Sequence, residues 1–121
     1  MAAGSLSTVE IGTQLTEWGK VVRITTRGRV SRRAIAVAVG FIEEADGSLL
    51  VASGEPDADW ARNLEVDPHC GLTIGERSWE AVAEPLDDAE AARAVSAMIL
   101  KYGTPAERLG RGQGFRLRRV G

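Results

Sequence analysis

The fold this sequence predicts is mainly β, a small barrel or strongly curled sheet of about six antiparallel strands carrying two or three helices. Three observations predict it. Short strand-like runs recur along the chain, hairpin signals such as Asp46-Gly47 and Gly75-Glu76 separate them, and the regular strand-helix-strand alternation of a doubly wound sheet is missing. With 121 residues the chain suffices for one compact domain over 1–121, read as an arm or helix over 1–18 followed by the barrel over 19–121.

The elements follow in order. Ser7-Thr8-Val9-Glu10 has capping-box spacing, and Ile11, Leu15 and Trp18 recur on one helix face. From Gly19 the period changes to that of a strand: Val22, Ile24 and Thr26 alternate with Val21, Arg23 and Thr25 up to the turn Arg27-Gly28-Arg29. Ala34 to Ile42 is apolar throughout and Ser48 to Ser53 is a third strand, so these three are expected to form a meander. Beyond Ser53-Gly54 the loop Glu55-Pro56-Asp57 leads to a helix near 58–66, with Asp57 or Asp59 as its cap and Trp60 over Leu64. Asp67-Pro68 ends it.

Cys70 to Ile74 and Arg77 to Glu84 read as a hairpin, with Trp79, Ala81 and Ala83 on one face. Asp87-Asp88-Ala89-Glu90 caps a helix near 88–102, in which Ala91, Val95, Met98 and Tyr102 fall at helical spacing, Lys101 lies in the last turn and Gly103 is the stop. Gln113 to Val120 supplies the final strand.

Composition bounds the function. A net charge of −2 gives no overall attraction to nucleic acid or an anionic membrane, and the basic residues lack interleaved aromatics. The longest apolar stretch, Ala34 to Ile42, is too short to span a bilayer, and the N-terminus lacks the pattern of a signal peptide, so a cytoplasmic protein is expected. One cysteine and one histidine make neither an internal disulfide nor a zinc cluster, and no metal is expected. Cys70 is expected in the core, His69 at an exposed turn, and Tyr102 in the core with its hydroxyl satisfied. Gly110-Arg111-Gly112-Gln113-Gly114 precedes a strand instead of opening a helix, so it is not a nucleotide loop.

The richest chemistry lies at the first turn. Arg27, Arg29, Arg32 and Arg33 fall within seven residues, beside Thr25, Thr26 and Ser31. Guanidinium and hydroxyl groups on such a turn bind phosphate through charge-assisted hydrogen bonds; the competing reading is a solvated hairpin tip.

The two threonines, Gly28-Arg29, Ser31, Ser53-Gly54, Asp59-Trp60, Asn63-Leu64 and Asp67-Pro68, in this order and spacing, together with Lys101-Tyr102-Gly103, resemble the deazaflavin (coenzyme F420) dependent nitroreductase and quinone-reductase family over about Gly19 to Gly103. The resemblance implies the split β-barrel of flavin-binding oxidoreductases, a homodimer, and hydride transfer between reduced F420 and an electron-poor small molecule such as a quinone, an enone or a nitroaromatic. It also implies site residues: Thr25, Thr26, Gly28, Arg29 and Ser31 at the cofactor's phosphate side, with Arg33 supplying a further charge, and Ser53 and Gly54 at the ring. Trp60 and Asn63 lie on the matching helix, the tryptophan packing on the barrel and the amide anchoring the preceding loop or reaching the cofactor. Cofactor chemistry of this kind needs no catalytic triad, and none is present.

This chain departs from the pattern with Arg32 where glycine is common, Ile35 and Ala38 where arginine and proline are, and Gly40 in place of a large aromatic. The alternatives on the same barrel are a flavin mononucleotide (FMN) oxidoreductase and a non-catalytic binder of a hydrophobic ligand, a fatty acid or haem, for which His69 would be the axial ligand.

Overall fold

The computed structural model describes residues 21–55, 57–103 and 112–120. The helix expected over 1–18, and Gly110 and Arg111, lie outside the described residues. Seven strands and two helices are present among the described residues: β1 (Val22–Arg27), β2 (Ala34–Val39), β3 (Ile42–Glu43), β4 (Leu49–Ala52), α1 (Asp59–Val66), β5 (His69–Ile74), β6 (Arg77–Pro85), α2 (Asp88–Tyr102) and β7 (Gly114–Arg119). The strands form one sheet in the order β2-β1-β5-β6-β7-β4-β3, and every adjacent pair is antiparallel.

That order makes the sheet curl. β2 and β3 are opposite edges of the sheet, yet only Gly40 and Phe41 separate them in sequence. Three Cα steps span at most about 11 Å, so the two edges lie near one another and the sheet closes into a barrel split at this bend. The apolar run from Ala34 to Ile42 is therefore two strands, and the expected meander of three strands is replaced by two hairpins, β1-β2 and β3-β4, at opposite edges. The ring of Tyr102 fixes the bend: a Cβ at position 40 would sit 3.0 Å from its Cε2, and Phe41 N–H donates to its hydroxyl at 3.0 Å. Lys101 Nζ adds a 2.8 Å bond to the Phe41 carbonyl and lies 3.6 Å from the Phe41 ring centroid. Gly40 thus opens no pocket; it makes room for the tyrosine.

Alternation sorts the side chains. Val22, Ile24 and Thr26 of β1 are buried, as are Cys70, Leu72 and Ile74 of β5 and Ala81 and Ala83 of β6. These inward residues meet Leu49, Val51, Phe115 and Leu117, and α1 closes the core with Ala61 and Leu64; each large side chain removed from water contributes about 1.5–3 kcal/mol. α2 lies over a second, smaller cluster made by Leu50, Leu86 and Ala94. Its N-terminus carries the capping box: Glu90 N–H donates to Asp87 Oδ1 at 2.8 Å and Asp87 N–H to Glu90 Oε1 at 3.4 Å. Gly103, at φ 93°, ends the helix. Arg116 then ties α2 to the sheet through Glu90 at 2.8 Å and Glu44 at 3.5 Å.

Candidate functional site

The turn joining β1 to β2 is held as a rigid loop. Gly28 N–H donates to the Arg33 carbonyl and Arg32 N–H to the Gly28 carbonyl, both at 2.8 Å. A Cβ on Gly28 would meet Ser31 Oγ at 2.6 Å and Ile35 Cδ1 at 3.0 Å, so a larger residue there would displace those two side chains. Ser31 Oγ accepts from Arg33 N–H at 3.2 Å. Arg32 has φ 62°, in the left-handed region that favours glycine.

The four arginines have different partners. Arg29 belongs to a knot with α1: its guanidinium donates to Asn63 Oδ1 at 2.8 Å and to the Asp59 carboxylate at 3.1 Å, and its backbone N–H also reaches Asn63 Oδ1 at 3.2 Å. Asn63, only 1% exposed, completes the knot by donating Nδ2–H to Thr26 Oγ1 at 3.2 Å. Arg27 donates to the Arg32 carbonyl at 3.3 Å. Among the described residues Arg27, Arg32 and Arg33 form no ion pair, and all three are exposed. These three guanidiniums are thus the ones left exposed without an ion pair among the described residues, while Arg29 is the strut that fixes the turn on the helix.

The other expected site residues divide the same way. Ser53 is 1% exposed and folds its own loop, donating Oγ–H to the Glu55 carbonyl at 2.5 Å and accepting from Glu55 N–H at 3.1 Å. Gly54 continues this loop into α1. Trp60 is half-buried and tilts 57° across Phe115 at 6.1 Å between centroids. Neither Asp57 nor Asp59 caps α1; Ala58 is the N-cap without a side-chain bond. Asp59 is drawn to Arg29, and Asp57 pairs with Arg62. The turn and α1 are brought together by the Arg29–Asn63–Asp59 contacts, while Ser53 and Gly54 stand at the opposite end of the loop that leads into that helix.

Beside the turn, the outer face of β1, β5 and β6 carries a cleft of about 630 Å³ lined by Thr25, Arg27, Asp67, His69, Gly71, Thr73, Ser78 and Glu80, among others. Asp67 accepts from the backbone N–H of His69 at 3.1 Å and faces its Nδ1 at 3.2 Å. These two bonds, the backbone one first, hold the Asp67 carboxyl below the usual carboxylate range. Cys70 lies beneath the cleft, and its burial pushes the thiol up to about 12, which removes it as a nucleophile. Gly71, Thr73, Ser78 and Glu80 were not singled out in the sequence, where their alternation reads as a solvent face; only the strand register aligns them with Thr25. No group of three metal-binding side chains is present among the described residues, and no described helix is long and apolar enough to cross a membrane.

Comparison with known proteins bears on the family and the fold. The sequence matches the F420H(2)-dependent quinone reductase family over residues 3–111. No curated protein matches. Among solved structures, an F420-H2 dependent reductase (FDR-A) superposes with a TM-score of 0.68 at 20% identity, covering 82% of this chain and 94% of that one. The haem storage protein HutZ from Vibrio cholerae gives 0.69 at 21%, covering 94% and 90%. A putative 5-nitroimidazole antibiotic resistance protein from Bacteroides thetaiotaomicron gives 0.66 at 11%, covering 96% and 82%. At these identities the likeness establishes the fold.

Proposed function

The chain belongs to the F420H(2)-dependent quinone reductase family, and from that premise we propose that it is an oxidoreductase transferring hydride between reduced F420 and an electron-poor acceptor, a quinone, an enone or a nitroaromatic. The observation that carries the reading is the basic turn: three exposed guanidiniums that form no ion pair among the described residues, on a loop held by two backbone hydrogen bonds of its own and by the Arg29 N–H on Asn63. Groups so arranged fit the anionic end of a deazaflavin. When bound, that cofactor supplies the hydride.

The chain's own residues bind and orient. Arg27, Arg32 and Arg33 offer charge-assisted donors, each worth about 1.5–3 kcal/mol where partly desolvated. Ser31 and Thr25 stand beside the same turn, while Thr26 is buried beneath it and bonded to Asn63. Arg29 and Asn63 hold it to α1, so that Gly54 and Trp60 keep a fixed relation to the phosphate side. A small molecule is the partner; neither nucleic acid nor a membrane enters the reading.

A cytoplasmic homodimer is part of the proposal. Its support is β2, an uncharged edge strand whose residues are exposed or half-buried throughout, with Ile35 42% exposed. An apolar edge of this kind is normally covered, here by a second copy. The haem-binding reading is less well supported: the sole histidine, His69, stands among Arg27, Asp67 and Glu80, a polar surrounding rather than an apolar slot.

The test is a fluorescence titration of the apo-protein with oxidised F420 and, separately, FMN, with Arg33→Ala alongside. The expected result is micromolar binding of F420 alone, weakened about tenfold or more by the substitution. Binding of FMN alone, or of neither, refutes the assignment.

A further inference from the structure

The turn that joins β1 to β2 carries one nucleophile that hydride transfer does not use, the Ser31 hydroxyl. Among the described residues Ser31, Ser78 and Ser96 are the exposed serines, and the other two are built into β6 and α2. Ser31 lies outside every described helix and strand, where a second protein can reach it. Its Oγ accepts from Arg33 N–H at 3.2 Å and donates no hydrogen bond among the described residues. Positive charge flanks it on both sides in the chain, with Arg27 and Arg29 before it and Arg32 and Arg33 after it. Arg29 is engaged by Asn63 and Asp59. Arg27 crosses the turn to the Arg32 carbonyl at 3.3 Å, one residue past Ser31, and interacts with the Asp67 carboxylate, which His69 also engages. Arg32 and Arg33 form no ion pair among the described residues. A phosphoryl group on Ser31 Oγ would stand against the Arg33 N–H and within side-chain reach of Arg27, Arg32 and Arg33, where it makes about one to three charge-assisted hydrogen bonds.

We propose that Ser31 is a phosphorylation site, and that its phosphoserine folds onto these guanidiniums and closes the turn to other anions. The donor is a nucleoside triphosphate, and the catalyst is a serine kinase with an acidic substrate groove, which basic residues on both sides of the serine fit by charge. Ser31 Oγ bonds to the γ-phosphorus and the bond from that phosphorus to the β–γ bridging oxygen breaks. The nucleoside diphosphate leaves, the hydroxyl proton passes to the kinase's base, and nothing is oxidised or reduced. The consequence for function rests on the cofactor reading above: with the turn occupied by its own phosphate, the anionic end of F420 is repelled.

The natural chain and Ser31→Ala, an exposed position whose truncation removes one hydrogen bond, are incubated with magnesium ATP and a purified arginine-directed serine kinase, and the modified residue is located by mass spectrometry. Phosphate on Ser31 of the natural chain, and its loss in Ser31→Ala, is the expected result. No incorporation, or equal incorporation into Ser31→Ala, overturns the proposal. Phosphorus NMR then follows the phosphoserine against pH. Guanidinium contact favours the dianion, so its second pKa, ordinarily near ~6, is expected at least about half a unit lower in the folded protein than in urea; equal values overturn the closure of the turn. F420 titration separates the two readings. The phosphoprotein is expected to bind F420 at least about tenfold more weakly than the unmodified chain, and equal binding by the two overturns the regulatory consequence. Binding by neither removes the deazaflavin assignment and leaves the Ser31 site standing on its incorporation and its NMR shift.

Discussion

Replacing Asn63 by alanine dismantles the contact on which the basic turn depends. Its amide makes three hydrogen bonds: one from the Arg29 guanidinium at 2.8 Å, one from the Arg29 backbone at 3.2 Å and one to Thr26 Oγ1 at 3.2 Å. A charge-assisted bond contributes about 1.5–3 kcal/mol and each neutral one about 1 kcal/mol. Arg29 is exposed enough for water to replace part of its share, whereas Thr26, at 2% exposure, loses its Asn63 donor in a dry environment. The sum is a loss of about 3–4 kcal/mol, a large part of a marginal total. Urea unfolding followed by far-UV dichroism measures it. Hydrogen exchange adds the local readout, with the Arg29 amide losing protection before the core of β5 and β6. Asn63→Asp keeps the acceptor for Arg29 and is expected to retain the protected Arg29 amide. A cost below about 1 kcal/mol for Asn63→Ala, or an Arg29 amide whose protection does not change, would refute the knot.

Three further outcomes follow from other contacts of the fold. Arg32 sits at φ 62°, a conformation costing a non-glycine residue about 1–2 kcal/mol; Arg32→Gly, offset by the chain entropy of glycine, is expected to stabilise by about 0.5–1 kcal/mol while weakening anion binding, and a destabilised variant in thermal melts would contradict this. Glu90 is held below the usual carboxylate range first by the Arg116 guanidinium and then by the Asp87 backbone. A depressed folded value means that its stabilisation is present above the unfolded value near ~4.3 and is lost as pH falls through the folded one, so Glu90→Gln should flatten the acid limb of the stability–pH curve, and an unchanged limb counts against it. Cys70, pushed up to about 12 by burial, carries thiolate at roughly one part in ten thousand at pH 8; native protein should resist a disulfide reagent that labels the urea-unfolded chain within minutes. Because that value is raised, the thiol's contribution is complete below about pH 8.5 and declines as pH rises toward 12.

Much of the architecture was local enough to be written in the chain. The period-two pattern of Val22, Ile24 and Thr26, the hairpin turn at Gly75-Glu76, and the Asp87 and Glu90 capping box each depend on neighbours within a few residues, and each appears where the sequence places it. The basic turn was equally legible, as a cluster of charge beside glycine. What required the tertiary structure was pairing across distance. The apolar run from Ala34 to Ile42 carries no mark of the break at Gly40-Phe41, because the cause, the Tyr102 ring, arrives some sixty residues later. Arg29 and Arg33 look alike in sequence, and only the approach of α1 makes one a strut to Asn63 and leaves the other exposed. Short-range sterics and hydrogen bonding select the elements, while burial of one shared apolar face selects which of them meet, and that choice decided which arginines are available to a ligand.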